Sequence, residues 1–287
     1  MYAGRIKRTV VFIAFAVVLL AIIVWIAWSN TALELNTYTL VSDELPISFD
    51  GYRIALVSDV HNAQIGENNE TLLAKLKEAK PDIIAITGDL IDSRRTDIPV
   101  ALQFAEEAVK IAPCYYITGN HEARVPEYTE LKNDLTQLGV TVLSDERIIV
   151  EQSTESITII GVDDPSFQTD YLLGDSAFVM QSKLEELVCT EDAYTVLLSH
   201  RPELFEVYAE NKINLVLSGH AHGGQFRLPF VGGLIAPNQG LFPKYTSGLY
   251  VQDETNMIVS RGIGNSIFPF RIYNRPEVIL IELKTTT

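Results

Sequence analysis

Five times in this chain of 287 residues, an apolar run of strand length stops at a side chain able to hold a metal ion. The plainest case is Ile83-Ile84-Ala85-Ile86-Thr87-Gly88-Asp89, where a fully apolar stretch leads through a glycine to one carboxylate. The other four end at Ser58-Asp59-Val60-His61, Gly119-Asn120-His121-Glu122, Ser199-His200 and Gly219-His220-Ala221-His222. A short run with no polar face fits a strand covered on both sides, as in parallel sheets flanked by helices. Ligands of such sheets gather beyond the carboxyl ends of the strands, where loops converge. A shared context predicts a shared place, so these five ends are expected to meet at one two-metal site. Asp89, with two oxygens, can serve two cations there.

The segments between these ends read as α/β. Leu72, Leu73, Leu76 and Ala79 share one face of a helix over Asn69 to Lys80, stopped by Pro81. Further helices are predicted from about Pro99 to Lys110, Pro126 to Leu138, Ser176 to Leu187 and Pro202 to Ala209. Strands are predicted at Arg53 to Val57, Tyr115 to Thr118, Val140 to Leu143, Arg147 to Val150, Ile157 to Gly161, Thr195 to Leu198 and Ile213 to Leu217. A hairpin over Gly248 to Ser260 and a last strand, Val278 to Leu283, make the later part β-rich, which suggests a second sheet packed on the first. Gly223 to Ser247 is too rich in Gly, Pro and aromatics for a helix.

Val10 to Trp28 carries no charge. At about 1.5 Å rise per residue its length nearly crosses a bilayer core. Arg5, Lys7 and Arg8 precede it, which by the positive-inside bias puts the N-terminus in the cytoplasm. Trp25 and Trp28 then fall at the far interface. A cleaved signal peptide is the rival reading, but the apolar stretch is long for one and no convincing small-x-small cleavage site precedes Glu34, so an uncleaved anchor is expected. The predicted organisation is a cytoplasmic N-terminus over 1–9, a transmembrane anchor over 10–28, a tether over 29–50 with an edge strand at Leu35 to Val41, and a catalytic domain over 51–287.

Formal net charge is −15, and it is uneven: residues 31–219 hold 13 Lys and Arg against 33 Asp and Glu, whereas 220–287 hold 6 against 4. Such a surface repels nucleic acid, and none is expected as partner. The mildly basic later segment would receive an anion better. Two cysteines, Cys114 and Cys189, exclude a disulfide scaffold or a cysteine zinc cluster, although one bridge is compatible with the sequence. Cys114 reads as apolar filler beside a strand.

The chain contains five histidines, and all five belong to these strand ends. In extended backbone, residues two apart point the same way, which lets Asp59 and His61 reach one ion and puts His220 with His222. Carboxylate, imidazole and amide donors suit divalent Mn, Fe, Zn or Co. The series Asp59-x-His61, Gly88-Asp89, Gly119-Asn120-His121-Glu122, His200 and Gly219-His220-x-His222 resembles the calcineurin-like metallophosphoesterase superfamily, with every signature position filled. The apolar N-terminal segment, Gly161-Val162-Asp163-Asp164-Pro165, Gly223-Gly224-Gln225 and Phe242-Pro243-Lys244-Tyr245 resemble its membrane-associated bacterial branch, related to the YkuE and YaeI phosphoesterases. The twin-arginine pair that some of that branch carry is absent from the N-terminal segment.

The resemblance implies a four-layer α/β/β/α sandwich and two divalent metal ions. Asp59, His61, Asp89 and His222 would bind one metal; Asp89, Asn120, His200 and His220 would bind the other, with Asp89 bridging. His121 would be the non-ligand histidine that donates a proton to the leaving alkoxide or stabilises the transition state. The implied reaction is phosphate ester hydrolysis by in-line attack of a metal-bridging hydroxide, with phosphodiesters favoured and the catalytic domain outside the cytoplasm. A phosphomonoesterase, including a protein phosphatase, is the alternative enzyme, and a non-catalytic metal-stabilised scaffold the alternative outside enzymes. Asp92, Glu122 and Asp163 are candidates to orient ligand imidazoles, and Arg124 to reach a substrate phosphate. Apolar side chains of Phe226 to Tyr245 are candidates to grip a phospholipid or other cell-envelope substrate.

Overall fold

In the computed structural model, which describes residues 2–168, 175–189 and 194–286, the chain begins with helix α1 (Tyr2–Thr31), followed after two residues by strand β1 (Glu34–Ser42). Then come β2 (Arg53–Val57), α2 (Glu70–Ala79), β3 (Ile83–Thr87), α3 (Ile98–Ala108), β4 (Cys114–Ile117), α4 (Tyr128–Gln137) and β5 (Thr141–Val142). The second half contributes β6 (Glu146–Gln152), β7 (Glu155–Gly161), α5 (Ser176–Leu187), β8 (Thr195–Leu198), α6 (Phe205–Glu210) and β9 (Leu215–Ser218). Two small hairpins follow, β10 (Arg227–Leu228) with β11 (Gly232–Gly233) and β12 (Ile235–Ala236) with β13 (Gly240–Leu241). The chain closes with β14 (Gly248–Gln252), β15 (Thr255–Val259) and β16 (Glu277–Thr285).

Two six-stranded sheets result, ordered β1-β16-β2-β3-β4-β5 and β14-β15-β9-β8-β7-β6. Alternation within each buried strand sorts its side chains between two cores. Ala55, Val57, Ile84 and Ile86 join Leu76, Phe104 and Leu131 of α2, α3 and α4. Ile54, Leu56, Ile83 and Ala85, on the opposite face, meet Ile159, Val196, Leu198 and Leu215 of the second sheet. Ile160, Leu197, Val216 and Val259 then pack on Met180 and Leu184 of α5 and Phe205 and Tyr208 of α6. Helix, sheet, sheet and helix are the four expected layers. Local signals hold them in place: Asp97 caps α3 by accepting from Val100 N–H at 3.3 Å, and Lys80 ends α2 in a left-handed conformation ahead of Pro81.

The anchor continues three residues past Trp28, and Arg8–Thr31 is long and apolar enough to cross a membrane. The edge strand expected at Leu35 to Val41 is β1, at the edge of its sheet, and the rest of the stretch predicted as a tether is built into the body with it. Leu33, Leu40 and Leu45 are buried, and β1 lies along the whole length of β16. β16 runs against β2, and β1 runs parallel to β16, so Glu34 and Glu277 stand at the end of the sheet where β2 finishes. The end of α1 is tied down there. Trp25 packs on Tyr273 with ring centroids 4.8 Å apart, Arg275 lies 4.8 Å over Trp28, and Asn30 accepts from Arg271 N–H at 2.7 Å. Cys114 is buried and Cys189 exposed, and both are free thiols.

Candidate metal centre

Strands β2, β3, β4, β8 and β9 all run in the same sense within their sheets, and each releases its chain at one common edge of the molecule. There the backbone turns sharply. Asp59, His61, Asp89, His220 and His222 all sit at φ between 47° and 65°, a left-handed conformation that costs a non-glycine residue roughly 1–2 kcal/mol. This corrects the expected reason for the pairing of Asp59 with His61 and of His220 with His222. Kinked rather than extended backbone brings each pair to one side.

The seven predicted ligands and His121 are all buried. Candidate donor atoms of Asp59, His61, Asp89 and His222 lie within 4.8 Å of one another, and so do those of Asp89, His200 and His220. His61 Nε2 is 3.1 Å from His222 Nε2, and His222 Nε2 is 3.4 Å from Asp59 Oδ1. On the other side His200 Nε2 is 3.1 Å from His220 Nδ1. Asp89 Oδ2 stands between the groups, 3.5 Å from His61 Nε2 and 3.3 Å from His200 Nε2. Its Oδ1 accepts from His121 N–H at 2.8 Å. One oxygen of Asp89, not two, therefore faces both groups.

Charges confirm what the donors ask for. Burial strips protons from the imidazoles, taking His61 down to about 3 and His220 and His222 well below the ordinary value. Burial also pulls on His200, but the carboxylates of Asp89 and Asp59 outweigh it and raise that ring to about 10. Three neutral imidazoles and one ring that the buried carboxylates hold protonated make a basin that favours positive charge, where a bound cation would take the place of the His200 proton. Asn120 Oδ1 is buried without a hydrogen-bond partner among the described residues, and Asn120 lines the same cleft. An unpaired amide oxygen beside imidazole and carboxylate donors fits a divalent cation.

Other side chains hold the donors in position. His200 Nδ1 donates to Thr87 O at 2.7 Å, which leaves Nε2 as the nitrogen turned toward Asp89 and the one that would bind a cation on losing its proton. Ser93 N–H donates to His121 Nδ1 at 2.9 Å, so the His121 proton resides on Nε2. Burial lowers the pKa of this ring, which leaves it neutral at pH 7. The candidates to orient imidazoles divide. Asp92 Oδ1 lies 3.7 Å from His121 Nδ1, which has no hydrogen to donate, and accepts from Arg94 N–H at 2.8 Å. Glu122 instead accepts from the N–H groups of Asp89, Leu90 and Gly119 at 2.8–3.0 Å, splicing two ligand loops together, and Asp163 accepts from Thr118. Sequence reasoning missed Asp164 and Arg201. Asp164 grips Arg201 with both oxygens, at 2.5 and 2.7 Å, and Arg201 Nη1 lies 3.3 Å from His220 Nε2. It also missed Arg271, whose Nη2 is 3.4 Å from His222 Nδ1. The adjacency Asp163-Asp164 was a visible signal for the first; nothing local marks Arg271.

The cleft above these groups has a volume of about 350 Å³, and Arg94, Arg124 and Arg201 line it with Asp89, Asn120 and His121. Three guanidinium groups over a cation-binding floor suit an anionic substrate.

The family model for calcineurin-like phosphoesterases matches residues 52–224. The uncharacterized metallophosphoesterase YkuE of Bacillus subtilis (strain 168) is 32% identical over 263 residues, covering 88% of this chain and 86% of its own. A transmembrane protein with metallophosphoesterase domain from Danio rerio is 30% identical over 254 residues, 84% of this chain and 55% of its own. The phosphodiesterase YaeI of Escherichia coli (strain K12) is 26% identical over 238 residues, 81% of this chain and 82% of its own.

Proposed function

This chain belongs to the calcineurin-like phosphoesterase family, and from that premise we propose that it is a single-pass membrane enzyme that hydrolyses phosphodiesters outside the cytoplasm. Its class, a metal-dependent phosphoric ester hydrolase, comes with the family. The observation that carries the finer reading is the double cluster of buried donors sharing Asp89 Oδ2. Asp59, His61, Asp89 and His222 would hold one divalent ion, and Asp89, Asn120, His200 and His220 the other. When bound, the two cations supply Lewis acidity toward the phosphoryl oxygens and the attacking water. The arginines of the cleft draw in and orient the anion. His121, neutral and protonated on Nε2, donates that hydrogen toward the leaving oxygen, where negative charge develops.

Support for a diester substrate comes from the relative named as a phosphodiesterase, and support for a membrane setting from the transmembrane relative together with α1. The positive-inside bias of Arg5, Lys7 and Arg8 supports the outward orientation. The test is hydrolysis of chromogenic mono- and diesters by purified full-length protein before and after chelation, with elemental analysis of the metal. Two equivalents of metal and a faster, chelator-sensitive diester reaction are expected. A faster monoester reaction would reassign the substrate, and activity indifferent to chelation would overturn the mechanism.

A further inference from the structure

The anchor and the catalytic cleft lie at the same end of the fold. β16 runs against β2 and carries β1 with it, so the chain leaves α1 at the sheet end where β2 delivers Asp59. One side chain spans the two. Arg271 donates its backbone N–H to Asn30 in the last turn of α1, accepts from Asn30 Nδ2 through its carbonyl at 3.1 Å, and places Nη2 3.4 Å from His222 Nδ1.

The rim of the cleft on this side is apolar and open. Phe230 is fully exposed, and Leu241, Phe242 and Ile267 are 72%, 69% and 72% exposed. These belong to two stretches, 226–242 and 267–273, stitched into one surface. Phe226 packs on Phe268 and Phe270 with centroids 5.1 and 5.5 Å apart, and Arg227 N–H donates to Ile272 O at 3.0 Å. The same stretch reaches α1 through Tyr273 against Trp25. Between the stretches lies an annex of about 170 Å³ beside His222, walled by Ile235, Ala236, Pro237, Ile267 and Phe268. Large apolar side chains rarely crowd a water-facing surface, whereas a bilayer interface accommodates aromatic and aliphatic groups alike. The tryptophans of α1 mark the depth of that interface within a few ångströms of the rim.

We propose that the rim stretches 226–242 and 267–273 rest in the bilayer interface beside the anchor, and that the cleft takes phosphate esters whose alcohol portion is an apolar tail held in that membrane. The substrate part rests on the phosphoesterase reading above; the docking part does not. The tail would occupy the annex while the phosphate meets the arginines and the metal centre.

Docking is tested on the full chain in vesicles of phosphatidylcholine and phosphatidylglycerol containing a nitroxide-labelled lipid. Cys189→Ser removes the exposed thiol, and a fluorophore is attached through Ile267→Cys or, at the opposite end of the sheets, through Ser153→Cys. Strong quenching at 267 with little at 153 is expected; equal quenching at both overturns docking. The tail is tested with p-nitrophenyl hexadecyl phosphate against p-nitrophenyl methyl phosphate. Replacing Phe230, Leu241 and Phe242 together by Ser should leave the methyl ester reaction intact and cut the preference for the hexadecyl ester by about tenfold. An unchanged preference overturns the tail. A wild-type protein that cleaves neither ester refutes the phosphodiester reading, while the quenching still decides docking.

Discussion

Replacing Asp164 by Asn should cost more than any substitution of an exposed carboxylate in this protein. Asp164 and Arg201 are both buried and joined by two hydrogen bonds of 2.5 and 2.7 Å. Asn keeps the shape but removes the charge that grips the buried guanidinium at two nitrogens. Breaking such a pair from one side costs about 3–5 kcal/mol. Ser166 Oγ at 3.0 Å and Glu203 Oε1 at 3.4 Å still accept from Arg201, which favours the lower end. At about 2 °C per kcal/mol for a domain of this size, Tm should fall by about 6 °C. The assay is thermal unfolding of the detergent-solubilised full chain by near-UV circular dichroism, as a cycle with Arg201→Met. The double variant should recover much of the loss, because neither charge is then stranded. The pH dependence has a definite sign. Burial pushes the Asp164 carboxyl up, but Arg201 outweighs burial and the net pKa is depressed. Its contribution is therefore present above the unfolded value of about 3.9 and lost as pH falls below it. The gap between wild type and Asp164→Asn should narrow below about pH 4. A Tm change under about 1 °C at neutral pH, or a double variant no better than the single, would refute the argument.

Three further outcomes follow from the same geometry. A Cβ at Gly219 would lie 1.8 Å from Ser58 Oγ and 2.4 Å from Asp59 Oδ2, so Gly219→Ala should displace Asp59, and elemental analysis should show less bound metal per chain. His121→Ala should retain its metal and lose about 100- to 10,000-fold in turnover; full activity in metal-replete protein removes His121 from the reaction. Ser93→Pro deletes the N–H that fixes the His121 tautomer, so turnover should drop with metal content unchanged, whereas Ser93→Ala, which keeps that N–H, should retain most of it.

The strand ends were legible because burial on both faces forces an unbroken apolar run, and the residue ending each run is polar for one reason. Helix α2 was legible from its apolar face and from Pro81, whereas the start of α3 was expected at about Pro99 and the Asp97 cap ahead of it went unread. What sequence could not reveal was the network beneath the site. Arg271 reaches His222 from 49 positions away, out of an irregular stretch with no period to read. Glu122 was visible as part of Gly119-Asn120-His121-Glu122, yet its partners are backbone N–H groups, which any sequence supplies everywhere. The left-handed backbone at Asp59 and Asp89 was equally hidden, since it falls on residues other than glycine. The edge strand within 29–50 was legible from its alternation; its partner β16, the last strand of the chain, was not, and that pairing is what turns the expected tether into part of the body.

Only Ala32 and Leu33 separate the end of α1 from the start of β1, and Leu33 is buried. A flexible leash of twenty residues would let a domain wander roughly 25 Å; this joint allows almost no wandering. With α1 in the bilayer as proposed, head and stalk would tilt as one, and the cleft would reach only what passes at its own foot. Between α1 and β1 the described residues offer a protease no extended linker to clip.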